Sequence, residues 1–277
     1  MSLSVLVLTR NEAANLPGCL ESVRWCDDVV VLDSLSTDST QQVARQHGAR
    51  LVESEFDDFA GQRNFAIDTI AFKHPWVFHL DADERFTADL HEECMRAVAK
   101  DECSGFLVPS KMILWGRWLK HAAAYPVYQM RLMKLGEVRF RQHGHGQREF
   151  EARRGIGRLS SPYLHNAFSK GMHEWLERHN QYSTLEARAA LAQLESARPG
   201  CRGLLSLDPT TRRRALKDVS LRLPLRPCLK FAYLYFLRMG FLDGREGLTY
   251  CALQSIYEYM ICLKQRELAR RRAGGSD

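Results

Sequence analysis

The sequence predicts an α/β protein with a mostly parallel sheet, followed by a helical, basic C-terminal extension. Two observations carry this. Over the first hundred residues, short β-branched runs alternate with helix-like stretches in strand, helix, strand, helix order, the pattern of a parallel sheet with helical crossovers. The charge is also divided. Residues 1–110 hold nine Lys or Arg and nineteen Asp or Glu, a balance of −10, whereas residues 111–277 hold thirty and fourteen, a balance of +16. Such asymmetry aims the second half at something anionic: a membrane surface, a phosphorylated acceptor or nucleic acid.

Residues 4–8 read as the first strand, 29–32 as the second, 50–53 as the third and 76–80 as the fourth. Ser36 is the expected N-cap of the helix after the second strand, with Asp38 just inside it at the positive end of its dipole. In a parallel sheet, ligands bind where the strands end at their carboxyl edge. The polar clusters fall there: Thr9, Arg10, Asn11 and Glu12 after the first strand, Asp33 and Ser34 after the second, and Asp81, Ala82, Asp83 and Glu84 after the fourth.

From about Gly105 the pattern changes to mixed apolar and aromatic segments with Trp115, Trp118, Tyr125 and Tyr128, then a Gly- and His-rich stretch from His143 to Arg148. Residues 170–195 read as a helix. A loop-like section over 198–227 carries four prolines and the run Arg212, Arg213, Arg214, and is expected to be the least ordered part. Residues 225–242 are strongly apolar and aromatic, but Arg226, Lys230 and Arg238 interrupt them short of the roughly twenty clean residues of a spanning helix. Two readings stay open for this segment: an interfacial helix with aromatics at headgroup depth, or a core-packing helix whose cations snorkel outward. The organisation is therefore read as 1–165 for the catalytic domain, with halves at about 1–105 and 106–165, and 166–277 for the basic helical region.

With 277 residues, of which 45% are hydrophobic, the chain is long enough to bury a full core. Its eight cysteines show no C-x-x-C pair and no secretory leader opens the chain, so free thiols in a reducing cytoplasm are expected.

An Asp-x-Asp directly after a buried apolar strand sets Asp81 and Asp83 at a sheet edge, close enough to share one hard cation, Mg or Mn, that offsets the charge of a leaving diphosphate. Asp33 ends the second strand, where an acid accepts hydrogen bonds from a ribose or base, or else caps a turn. Arg63 reaches a phosphate with its planar fork, or lies on a helix surface. Neither G-x-G-x-x-G after the first strand nor a P-loop is present, which argues against a dinucleotide fold and a P-loop enzyme.

Val5 to Glu12, Val29 to Thr40, Gly61 to Asn64 and Asp81 to Glu84 together resemble the family-2 glycosyltransferases of the GT-A, Rossmann-like fold. More narrowly they resemble bacterial enzymes that add sugars to the lipopolysaccharide core or related envelope glycans. The resemblance covers residues 1–150, and Phe231 to Lys264, with Gly240-Phe241-Leu242-Asp243-Gly244, is similar to the C-terminal part of that subgroup. It implies Thr9, Asn11 and Glu12 at the nucleotide, Asp33 at the uracil or ribose, Arg63 near the diphosphate, and Asp81 and Asp83 at ribose and metal. It further implies inversion at the anomeric carbon, in which a carboxylate deprotonates the acceptor hydroxyl. Relatives carry Tyr-Pro-Asp before the Arg-Leu pair, whereas this chain has Tyr125-Pro126-Val127 before Arg131-Leu132. Glu149 is then the candidate base, unless it is an exposed strand-end glutamate, and His143 and His145 are further metal ligands or polar loop residues.

The expected activity is transfer from a UDP-sugar, UDP-glucose first, to a glycolipid or glycan acceptor at the cytoplasmic face of the inner membrane. Anionic lipid is an expected partner and nucleic acid is not. Three other classes fit less well. An Asp-x-Asp phosphatase places its motif after the first strand, and a nucleotidyltransferase needs a glycine-rich first loop. A nucleic-acid or nucleotide binder without transferase activity would use the basic half but leaves the acidic half unexplained.

Overall fold

The computed structural model describes residues 3–143, 146–196, 223 and 225–272. Strand β1 (Ser4–Thr9), α1 (Leu16–Ser22), β2 (Val29–Asp33), α2 (Thr40–Gln46), β3 (Arg50–Glu53), α3 (Phe59–Thr69) and β4 (Trp76–Asp81) follow the expected alternation. Next come β5 (Glu84–Arg85), α4 (Ala88–Lys100), β6 (Gly105–Leu114), β7 (Arg117–Trp118), β8 (Val127–Lys134), β9 (Val138–His143), β10 (Gly146–Ala152), β11 (Ile156–Arg158) and β12 (Tyr163–His165). Helix α5 (Gly171–Ser196), α6 (Arg226–Ala232) and α7 (Gly244–Arg272) complete the chain.

The main sheet runs β3-β2-β1-β4-β8-β6-β12-β5, with β7 and β11 paired to β6. Its first four strands are parallel, and β8 enters antiparallel to both β4 and β6. β1 reads as a continuous apolar run because both its faces are buried. Val5 and Val7 pack with α1, α2 and α4 on one side, while Leu6 and Leu8 pack with Ala66 and Ile70, on and just after α3, on the other. The hairpin β9–β10 lies off this sheet and covers α3, where Asn64 both donates to the Phe140 carbonyl and accepts from its N–H.

Two local expectations are corrected. Ser36 is not a helix cap: its N–H and hydroxyl both donate to Asp33, and α2 begins only at Thr40. Asp38 lies outside that helix, where it accepts from the N–H groups of Thr40 and Ala13. The loop expected over 198–227 lies outside the described residues as far as 222, and its last two residues already open α6, with Pro227 in the first turn where its missing N–H costs nothing. The run Arg212 to Arg214 is likewise outside the described residues, whereas 170–195 is helical as expected.

The C-terminal helices are keyed to the end of β6. Leu114, Leu119, Phe168, Trp175 and Leu253 form one buried cluster, and α7 packs against both α5 and α6. A π-helical turn (Tyr233–Leu237) and a 3-10 turn (Gly240–Asp243) join α6 to α7. Among the described residues no helix is long and apolar enough to cross a membrane, and all seven cysteines are free. Close approach of the 3-10 turn to the first turn of α7 requires glycine at 247, because a Cβ there would sit 2.2 Å from the Gly240 carbonyl oxygen and 2.8 Å from Asp243 Cβ. Gly247→Ala is expected to lower stability by about 1–3 kcal/mol, the usual cost of overpacking, read as a shift of the urea midpoint.

Candidate active site

Strand register builds the site. Thr9 is paired with Asp33 across β1 and β2, and Leu8 with Asp81 across β1 and β4, so one sheet edge delivers a hydroxyl and two carboxylates. Each of Thr9, Asp33 and Asp81 is the last residue of its strand rather than the first of a loop, and its backbone is therefore held by the sheet.

The corner nearest β2 is a closed hydrogen-bond net. Asp33, with no exposed surface, accepts from Thr9 Oγ1 at 2.8 Å, from Ser36 N–H at 2.8 Å and from Gln41 Nε2 at 3.0 Å, besides the Ser36 hydroxyl. Asn11 adopts a left-handed backbone (φ 54°), and its side-chain oxygen accepts from Thr37 N–H at 2.8 Å. Glu12 accepts from Asn15 at 2.7 Å and pairs with Lys170 at 2.6 Å. Burial raises the Glu12 carboxyl above its ordinary range despite that lysine. Lys170 also donates to the Asn11 carbonyl at 2.9 Å, so the segment entering α5 closes over the first loop.

Asp81 occupies the neighbouring corner. One oxygen takes Arg63 Nη2 at 3.0 Å and the other takes Arg131 Nη2 at 2.9 Å. Burial pushes this carboxyl up, but the two guanidiniums outweigh it and hold Asp81 well below the carboxylate range. Arg131 also donates to Glu84, whose other oxygen accepts Asp81 N–H at 2.9 Å, and its guanidinium stands 5.0 Å over the Tyr163 ring. Both arginines are buried, 1% exposed each. Beneath them His79 has no exposed surface, and burial beside two cations drives its pKa far down, so the ring is neutral. Arg63 Nε and Nη1 are buried without a hydrogen-bond partner among the described residues.

Asp83 faces a different group. The short pairing of β5 with β12 sets His165 opposite Glu84, Asn166 N–H donates to the Asp83 carbonyl at 2.9 Å, and His165 Nε2 comes 3.4 Å from Asp83 Oδ2. Burial disfavours the charged ring, yet Asp83 and its acidic neighbours outweigh it and push His165 up to about 9. Oxygen or nitrogen atoms of Asp83, Glu84 and His165 lie within 4.8 Å of one another, a grouping able to hold one cation. Glu84 is fully buried and already engaged, which leaves Asp83 and His165 as the accessible pair. One carboxylate oxygen with one imidazole nitrogen suits Mn better than the oxygen-seeking Mg, with further positions left for other oxygens, and a cation here would displace the proton that Asp83 holds on His165.

The expected site residues thus gather in two adjoining groups, Thr9, Asn11, Glu12 and Asp33 in one, Arg63 and Asp81 in the other, with Asp83 turned toward His165. Glu149 lies half-buried in β10 of the separate hairpin, and no ion pair among the described residues joins it to the acidic cluster. His145 lies outside the described residues. Sequence reasoning missed Arg131, His165, Lys170 and Arg178. Arg178 pairs with Glu174 at 3.6 Å and adds to the field that lowers Asp83. Arg131 was legible only as a landmark beside Leu132, and His165 only as a polar residue ending a short apolar run.

The profile of Glycosyl transferase family 2 matches residues 4–152, more than half of the chain and all three strand-end clusters. The chain belongs to glycosyl transferase family 2. It is 27% identical over 267 residues to the lipopolysaccharide core biosynthesis glycosyltransferase LpsC of Rhizobium meliloti, covering 94% of this chain and 87% of that protein. An uncharacterized glycosyltransferase of Rickettsia bellii is 38% identical over 92 residues, about a third of each chain. Among solved structures, the mannosyltransferase PcManGT of Pyrobaculum calidifontis, in complex with GDP-Man and Mn2+, superposes with a TM-score of 0.51 at 17% identity over 95% of this chain and 86% of that one. This family-2 glycosyltransferase has the GT-A fold, with the mostly parallel sheet and helical C-terminal extension expected from its sequence.

Arg131 is the residue whose loss leaves most uncompensated. Arg131→Met removes the cation from buried Glu84 and one of the two from the partly exposed Asp81, which keeps Arg63, and unfolding in urea is expected to show a loss of about 3 kcal/mol, the low end for a broken buried pair. Arg131→Lys, which keeps a charge for the carboxylates that Nη2 serves but not the Nη1 and Nε contacts to the His79 carbonyl and the Tyr163 hydroxyl, is expected to recover only part of it.

Proposed function

We propose that this glycosyltransferase moves a sugar from a UDP-sugar, UDP-glucose first among them, onto a lipopolysaccharide core or related envelope glycan, with inversion. Its acceptor is lipid-borne, at the cytoplasmic face of the inner membrane. The observation that carries the donor half is Asp83, paired with His165 and two residues beyond Asp81, the partner of Arg63, whose Nε and Nη1 are buried with no partner among the described residues. A buried donor left unsatisfied costs about 1–3 kcal/mol, and an anionic diphosphate would satisfy both. The acceptor half is supported by similarity to LpsC along nearly the whole chain.

In this reading Thr9, Asn11, Glu12 and Asp33 form the nucleotide corner, with Asp33 shaping the loop that receives uracil or ribose. Asp81 holds Arg63 in place for the diphosphate and Asp83 with His165 holds the cation. A bound Mg or Mn supplies charge neutralisation for the departing nucleoside diphosphate. Glu149 takes the proton from the acceptor hydroxyl, its hairpin lying against α3. The nucleic-acid alternative rests on Arg212 to Arg214 and has no support in family membership.

UDP release from a panel of UDP- and GDP-sugars, with Mn or Mg and with EDTA, tests the donor half. Release should stop with EDTA and fall by roughly a hundredfold or more in Asp83→Ala and in His165→Ala, since a metal ion contributes several kcal/mol. No metal-dependent release from any donor would sink it. For the base, Glu149→Gln should lower transfer to acceptor by about 10²-fold or more while nucleotide affinity holds; unchanged transfer would remove Glu149 from the mechanism.

A further inference from the structure

The apolar segment over 225–242 is sorted by the fold into two sets. Phe231, Leu234 and Tyr235 turn inward and pack on Ala122, Tyr250 and Cys251, with Phe231 and Tyr235 stacked at 5.3 Å. Leu225, Leu229, Phe236, Leu237, Phe241 and Leu242 turn outward, and Leu237 is 77% and Phe236 61% exposed. The outward set is a concentration of large apolar surface on one short corner, well beyond the isolated exposed leucines of ordinary surfaces.

The corner is the tip of a helical hairpin. Arg226 pairs with Glu258 and donates to Gln265, the Ser255 hydroxyl donates to the Pro227 carbonyl, and Leu234 packs with Cys251, so the two arms run antiparallel and the π and 3-10 turns form the bend. Charge at this tip is mainly positive. Between 225 and 246 the cations are Arg226, Lys230, Arg238 and Arg245, and the acids are Asp243 and Glu246. Asp243 is buried, its carboxylate accepting from His121 N–H at 2.8 Å and Ala122 N–H at 2.7 Å, and Glu246 lies 4.0 Å from Arg117, while Arg226 is held by Glu258, so the outward balance rests on Lys230, Arg238 and Arg245.

We infer that this hairpin tip inserts into the interface of an anionic lipid bilayer, with Phe236, Leu237, Phe241 and Leu242 entering the acyl boundary and the cations meeting lipid phosphates. Exposed aromatic and aliphatic side chains beside a net positive charge match the chemistry of that boundary. The proposal rests on the reading of a lipid-borne acceptor and adds the surface that meets the lipid. It also gives Asp243 a purpose. The acid ties the tip to residues 121 and 122, Arg238 donates to the Tyr125 carbonyl, and Arg117 donates to the Leu242 carbonyl. A bilayer holding the tip therefore holds the 117–125 loop, with Trp118 and its flanking Lys111 and Lys120, at headgroup level.

Flotation of the full chain with phosphatidylcholine vesicles, with and without phosphatidylglycerol, tests this. The unaltered protein is expected to float with the phosphatidylglycerol vesicles and far less with phosphatidylcholine alone. Phe236→Ser/Leu237→Ser should lower bound protein by roughly tenfold or more, and Phe241→Ser/Leu242→Ser should do the same from the other side of the bend. UDP release from soluble donor should be unchanged in both. Flotation that survives both substitutions, or no flotation of the unaltered protein, would overturn the proposal. So would light scattering that shows a dimer made monomeric by them, which would assign the tip to a second copy of the chain. Absence of UDP release in the unaltered protein is a separate result, counting against the transferase reading and not against the lipid surface.

Discussion

Asp81 between Arg63 and Arg131 is the interaction on which the rest of the site depends. The carboxylate ends a central strand, one arginine comes from α3 and the other from β8, so a single ion pair network joins three elements remote in sequence. Burying two guanidiniums and the Glu84 carboxyl beside a partly exposed Asp81 costs several kcal/mol per buried ion, and only close mutual pairing offsets it. The network therefore tolerates little rearrangement. Because Glu84 accepts both Arg131 and the Asp81 N–H, the turn through Ala82 and Asp83 has its two ends held, and Asp83 is presented outward with no freedom to join the arginines.

A second constraint comes from the far end of the chain. Lys170 reaches the first loop at Glu12 and Asn11, and Asn166 bonds the Asp83 carbonyl, so the segment leading into α5 closes over strands laid down in the first eighty residues. The acidic first half and the basic second half thus meet at the site itself. Lys170 and Arg178 lie among carboxylates that would otherwise repel one another and any incoming diphosphate.

The sheet was legible because its signal is local. A strand buried on both faces needs an unbroken apolar run, and the runs ending at Thr9, Asp33 and Asp81 were readable to within a residue, as was the short half-exposed edge strand ending at Glu53. Carboxyl-edge placement of polar clusters followed from parallel topology alone. The loop after β2 was read less well: Ser36 has the composition of a cap, but the stronger competitor was the Asp33 carboxylate three residues earlier, which takes its N–H and hydroxyl and delays the helix to Thr40.

Residue identity and spacing by themselves determined the alternation of the first four strands with helices, the edge where the chemistry gathers and the family, whereas the order of the strands in the sheet came from the tertiary structure. Tertiary structure alone decided which carboxylate does what. Asp81 and Asp83 are two residues apart and look equivalent in sequence, yet strand alternation turns the first toward Arg63 and Arg131, and the β5–β12 pairing turns the second toward His165. The same holds for the apolar C-terminal segment, whose inward and outward sets differ only by which side of a helical bend they occupy. Partners separated by fifty or eighty residues leave no periodicity in the chain, because their contact is set by sheet register and helix packing rather than by any local preference.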